Sequence, residues 1–326
     1  MNYWFWKKLL GGLSPVGNRC HLHVFIFHRV LQKPDSIFTD IPDAQSFEWM
    51  VKFIAGCYNV LSFGDAIACL RSGTLPNSAA CITFDDGYRD NATIALPILK
   101  KYGVPATFFI STMFIDGGRM WNDDIIEAIR SVEEPELNWE EFGLGHHMLR
   151  SHSERAAAIE KVLTRVKYMP HLGRSDLTNA IAGKHGLADK SELMMTRNDI
   201  LTLRRAGMEI GGHTHSHPIL SGISEAAAIA DIERGKNELE AILNEPIFSF
   251  AYPNGNTSRD LTERDAQIVR RLGFRAAATT DQGVASSTTN SWLIPRFTPW
   301  DRTPLRFAAR CASAQLNGSP SPLETY

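Results

Sequence analysis

What the chain lacks narrows its class. No apolar run in the 326 residues approaches the length of about 20 that a membrane-spanning helix needs. Neither sign of charge dominates: 34 lysines and arginines face 36 aspartates and glutamates, a formal net charge of −2. Nothing therefore marks a nucleic-acid-binding surface. Five cysteines (Cys20, Cys57, Cys69, Cys81 and Cys311) are odd in number and scattered. A disulfide framework would use an even, clustered set, so they read as reduced thiols, and the expected location is the cytoplasm. There is no internal repeat, and only the "NGSPSP" stretch near the end looks disordered.

The first residues resemble a secretory leader only faintly. In "MNYWFWKKLLGGLSPVGNRC", Lys7 and Lys8 follow the aromatic cluster instead of preceding an apolar core, and Gly11, Gly12 and Pro15 cut the run short. Trp4, Phe5 and Trp6 beside two lysines suit a peripheral membrane contact, or an arm packed on its own domain.

What is present is an alternation of strand and helix patterns. "HVFIFHRV" (His23 to Val30), "ACITF" (Ala80 to Phe84), "ATFFIS" (Ala106 to Ser111), "MEIGG" (Met208 to Gly212), "IFSFAY" (Ile247 to Tyr252), "FRAAAT" (Phe274 to Thr279) and "WLIPRF" (Trp292 to Phe297) read as strands. Helical spacing separates most of them, as at Phe47, Met50, Val51 and Ile54, in "NATIALPILKKYG", and over Ile223 to Leu243 and Leu261 to Leu272. Such alternation predicts an α/β fold with a parallel sheet or barrel. Residues 116–191 break the rhythm and are expected to form a mostly helical insertion; its histidines (His146, His147, His152, His171 and His185) have no ligand spacing and read as solvated surface.

Two stretches carry chemistry. In "ITFDDGYRDN" the adjacent carboxylates Asp85 and Asp86 end an apolar run, which is costly unless a cation sits beside them. In "GGHTHSHP" the histidines His213 and His217 stand four apart, a spacing that puts two imidazoles on one face of a helical turn and suits a divalent metal. Both stretches follow apolar strands, and in a parallel barrel the C-terminal strand ends converge on one face. Two histidines plus one carboxylate leave open coordination positions, as a catalytic site requires. One acid then ligates and the other stays free to take a proton.

"TFDDGYRDN", "HTHSHP" and "FAYPNG" (Phe250 to Gly255), in that order, resemble the first three motifs of the polysaccharide deacetylases, the NodB-homology group, carbohydrate esterase family four. The resemblance covers roughly residues 22–300. It implies a distorted parallel (β/α) barrel of about seven strands and a metal-dependent de-N-acetylase acting on an N-acetylated glycan. By position it makes Asp86, His213 and His217 the metal ligands, Asp85 the catalytic base, and the backbone N–H of Asn254 a donor to the oxyanion. Thr214 would steady the histidine loop, His215 would point elsewhere, and Tyr252 and Pro253 would wall the groove. Zn2+ is the default for this donor set, with Co2+ or Ni2+ open. The implied layout is an N-terminal arm (1–20), a barrel (21–310, its motif-bearing core about 79–300) carrying the insertion, and a C-terminal tail (311–326).

The chain departs from the family pattern twice. An Arg usual in the third motif is replaced by Ala251, and a His usual in the last is replaced by Arg296 in "LIPRF". Arg stays charged and cannot serve as the acid, so Arg296 is expected to orient Asp85 instead. That leaves His28, or the proton returned by Asp85, to protonate the leaving amine. In "GGRMWNDD", Trp121 and Asp123 read either as sugar contacts or as a helix start capped by Asn122. A deformylase or deacylase of a lipid-linked aminosugar is the alternative activity, and a glycan-binding domain without turnover is the alternative class.

Overall fold

The computed structural model describes residues 3–14, 20–187 and 192–317. Its centre is a parallel sheet of β1 (Leu22–Phe27), β2 (Asn59–Val60), β3 (Ala79–Phe84), β4 (Thr107–Ile110), β7 (Glu209–Gly212), β8 (Ser249–Ala251), β9 (Ala276–Gln282) and β10 (Ile294–Arg296). A separate antiparallel hairpin pairs β5 (Glu136–Trp139) with β6 (Gly145–Met148). The main path runs β1-β3-β4-β7-β8-β9-β10, seven strands, while the short β2 pairs with the start of β3. Just past β10, Phe297 donates its N–H to Val24 and accepts from Ile26, which brings the sheet nearly to closure as a barrel.

Every residue of β1 and β3 is buried, as continuous apolar runs in a helix-covered parallel sheet should be. Alternate side chains divide between two clusters. Phe25, Phe27, Ile82 and Phe84 face the outer helices, including Ala44–Cys57. Leu22, Val24, Ala79 and Cys81 join Ala251, Ala276 and Ala278 inside. The helix Phe63–Ser72 inserts Phe63, Ile67 and Leu70 into that inner cluster. Its first N–H groups bond to Thr107 and Glu209, the opening residues of β4 and β7. One end of the barrel is thus plugged, and the C-terminal strand ends are left for chemistry.

The insertion between β4 and β7 is mostly helical, with helices Trp121–Ser131, His152–Lys167 and His171–Lys184 around a core of its own. The β5–β6 hairpin was not legible as strand. Three of its histidines are structural, not solvated: His147 is buried against the carbonyl of Leu144, His185 accepts from Trp139 Nε1, and His171 meets Ser216. At the N-terminus a helix runs Tyr3–Leu13 straight through Gly11 and Gly12. Tyr3, Trp6 and Leu10 pack on the core, while Trp4, Phe5 and Leu9 stay exposed. The expected tail begins inside another helix, Pro304–Asn317, which buries Phe307, Ala308 and Cys311. Most of "NGSPSP" lies outside the described residues.

Candidate metal centre and active site

The motif residues all sit at or just past C-terminal strand ends. Asp85 and Asp86 follow β3, His213 follows β7, Asn254 follows β8, Arg296 ends β10 and His28 follows β1. One Asp86 oxygen lies 3.3 Å from Nε2 of both His213 and His217. The three donor atoms fall within 4.8 Å of one another, and all three residues are buried. His213 Nδ1 is 2.7 Å from the carbonyl of Ala251, which fixes its tautomer and turns the Nε2 lone pair toward the centre. Two imidazole nitrogens and a carboxylate oxygen at these separations fit a divalent metal.

The histidine pair is not held by a helical turn. "HTHSHP" is an irregular loop in which Thr214 (φ 66°) and His217 (φ 55°) adopt left-handed backbone. Asp86 (φ 75°) and Asn254 (φ 60°) do the same. Such conformations cost about 1–3 kcal/mol each in a non-glycine residue and persist only where the surroundings enforce them. The enforcement is visible. Thr214 Oγ1 accepts the N–H of His217 and donates to the carbonyl of His213. Ser111 binds the carbonyls of Asp86 and His213, while Thr112 and Met113 donate to Thr214 and His215. Asp231 accepts the N–H groups of His215 and Ser216. His215 itself turns away to Thr112 and Glu238. Gly235 lets its helix, Glu225–Leu243, touch the loop: a Cβ there would lie 2.6 Å from the Thr214 carbonyl. Asp231, Gly235 and Glu238 were missed by motif reading, although their i, i+4, i+7 spacing on one helix face was a usable signal.

Arg296 meets Asp85 in a bidentate pair, with both bonds 2.7 Å and both side chains buried. It also donates Nε to the carbonyl of Thr279 and NH1 to Thr83. Burial alone would push the Asp85 carboxyl up, but the guanidinium, helped by His213, overrides it and holds the group below its usual range. Asp86 is likewise raised by burial and carried well below by hydrogen bonds from His213 and His217. Asp85 is therefore ionised yet uncommitted to the histidines.

A cleft of about 740 Å³ opens over this floor, lined among others by His28, Asp85, Asp86, Trp121, His213, His217 and Asn254. Three expected sugar contacts lie elsewhere. Tyr252 is fully buried and bonds to the carbonyl of Trp292, and Pro253 is buried beside it. Asp123 is buried under Tyr88, which donates to its carboxylate, and burial raises it to about 7. Nor does Asn122 cap the helix; Met120 holds that position, and Asn122 lines the cleft. Asn254 keeps its place, with its carbonyl accepting from Thr280.

The polysaccharide deacetylase family model matches residues 72–277, which spans Asp85, Asp86, His213, His217 and Asn254. The chain belongs to the polysaccharide deacetylase family. YxkH of Bacillus subtilis (strain 168), whose name carries the same family term, is 44% identical over 54 residues. That match covers 16% of this chain and 19% of YxkH, so it is local. Among solved structures, the Streptococcus pyogenes deacetylase PplD, in complex with acetate, superposes with a TM-score of 0.56 at 19% identity, covering 85% of this chain and 92% of PplD. IcaB from Ammonifex degensii also gives 0.56 at 19%, covering 93% and 98%. At such identity these structures speak for the fold.

Proposed function

We propose that the chain is a metal-dependent hydrolase that removes N-acetyl groups from an N-acetylated glycan. The observation that carries this reading is the separation of roles among buried groups. Asp86, His213 and His217 share one centre, while Asp85 beside them is tied to Arg296. A binding domain has no use for an oriented, ionised second carboxylate at a ligand cleft.

A divalent metal, Zn2+ by donor preference and Co2+ or Ni2+ by the same chemistry, would be held by those three residues and supply Lewis-acid polarisation of the amide carbonyl and of a water. Asp85 is the base that takes the proton of the attacking water, and Arg296 keeps the carboxylate facing the cleft. The N–H of Asn254 is presented by its left-handed backbone and supports the oxygen that gains charge. His28, exposed at the cleft wall, gives the amine its proton as the carbon–nitrogen bond breaks. Trp121 offers an aromatic face to a sugar ring, with Arg174 packed 4.7 Å from its ring centroid.

Trp4, Phe5 and Leu9, exposed beside Lys7 and Lys8 on one terminal helix, support peripheral contact with a membrane and so a lipid-linked glycan as one source of substrate. The decisive experiment measures acetate release from N-acetylglucosamine oligosaccharides with added Zn2+ and with chelator. Release abolished by chelator and restored by metal is the expected result; formate or longer acyl release instead would favour the deformylase or deacylase reading. No release from any acylated sugar by metal-loaded protein would overturn the enzymatic one.

A further inference from the structure

One wall of the cleft carries charge that the hydrolysis does not use. Lys167, at the end of the helix His152–Lys167, and Arg259, in the loop after β8, both line it. Behind them lies Arg174, 2% exposed, with Nε buried and unbonded and no salt bridge to any described carboxylate. Its other nitrogens reach the carbonyl of Lys167 and Nδ1 of His171, and the guanidinium lies 4.7 Å from the Trp121 ring centroid, a contact that brings no negative charge. A buried guanidinium without a counter-charge is costly. Lys167 also has no ion pair among the described residues; burial lowers it from the ordinary lysine value, Asp260 opposes this, and the repulsion of Arg259 and Arg174 adds to the lowering.

The acids nearby do not close the account. Asp260 is occupied by the hydroxyl of Tyr168 and the N–H of Asn256, and it stands 3.7 Å from Arg259. Glu160 lines the same cleft. Asp85 is neutralised by Arg296, and Asp86 faces the metal centre. On a chain with a net charge of −2, three cations thus gather against two acids at one side of the active-site cleft.

We propose that this wall is a subsite for an anionic group of the substrate, a phosphate or a carboxylate carried by the N-acetylated sugar or by its neighbour in the glycan. The inference rests on the deacetylase reading for the sugar and on Lys167, Arg259 and Arg174 for the anion. Ammonium and guanidinium donors at the cleft edge pair with either anion, and Arg174 lends its field from behind. The same charge repels a free amine, so a glycan already deacetylated beside the scissile amide is a poor ligand.

The test is calorimetric titration of the zinc-loaded full chain with three probes: a neutral N-acetylglucosamine oligosaccharide, N-acetylglucosamine 1-phosphate, and a hyaluronan oligosaccharide, which alternates N-acetylglucosamine with a uronate. At low salt at least one anionic probe should bind about ten-fold tighter than the neutral one, and which one does so distinguishes phosphate from carboxylate. The Lys167→Gln/Arg259→Gln double variant should erase that preference while leaving the neutral probe's affinity unchanged. Equal affinities in the parent overturn the proposal. So does a preference that survives in the double variant, because the anion would then be binding at the metal. Acetate release from the neutral oligosaccharide by the same preparation reports on the deacetylase reading separately, so either idea can fail without the other.

Discussion

Replacing Arg296 by Met keeps the bulk of the side chain and removes its charge. In the metal-free protein this strips Asp85 of two 2.7 Å bonds and leaves the carbonyl of Thr279 without its Nε donor, all in a region where Arg296 is 0% and Asp85 2% exposed. Breaking a buried pair from one side costs about 3–5 kcal/mol, a large share of the roughly 5–15 kcal/mol that holds a domain together. The pH dependence has a definite sign. In the parent the Asp85 carboxyl lies below its unfolded value, so its contribution is fully present above the unfolded value and is lost as pH falls through the folded one. In Arg296→Met the largest influence opposing burial is gone and the weaker pull of His213 remains, so the carboxyl rises and its ionised form stabilises the fold less at neutral pH. The deficit of the variant should therefore shrink on acidification. Adding Asp85→Asn to Arg296→Met should recover part of the loss, because it removes the stranded charge. Urea denaturation of the four proteins across acid and neutral pH, in chelator, measures every term. A deficit below about 1 kcal/mol, the range of an exposed pair, or no recovery in the double variant, would refute the argument.

Other outcomes follow from the same geometry. His213→Ala and His217→Ala should each lose bound metal on dialysis while His215→Ala retains it, as metal analysis of the three proteins would show. Asp85→Asn should keep its metal and lose about 10²–10⁴-fold in turnover, the usual contribution of a general base; activity near the parent rate would assign the base elsewhere. Gly235→Ala should destabilise by about 1–3 kcal/mol and weaken metal binding, because the new Cβ meets the backbone of the histidine loop, although alanine is intrinsically favoured in a helix by about 1 kcal/mol. Asp123, raised to about 7, opposes folding as pH climbs above its unfolded value of about 4, so Asp123→Asn should gain melting temperature relative to the parent between mildly acidic and alkaline pH. An unchanged gap across that range would show that the carboxyl is not perturbed.

The sequence by itself determined the seven strands of the main path of the sheet, the fold class and the candidate donors. Buried parallel strands read as unbroken apolar runs, and chemistry placed directly after such runs must gather at one barrel end, so Asp85, Asp86 and His213 were legible from order, while Asn254 came only from the family resemblance. Arg296 was legible as well, from the family's usual Arg being absent at Ala251 and a charge instead closing a later apolar strand on the same face. Tertiary structure decided what local pattern cannot encode. The four-residue spacing of His213 and His217 suggested a helical turn, but left-handed backbone at Thr214 and His217, enforced by Ser111, Asp231 and the close approach at Gly235, is what brings their nitrogens to Asp86. Whether a residue beside a motif faces ligand or core depends on packing against segments far away in the chain. Tyr252 was therefore lost to Trp292 and Asp123 to Tyr88, while Lys167 and Arg174 of the inserted helices came to stand beside a site whose motifs lie outside that insertion.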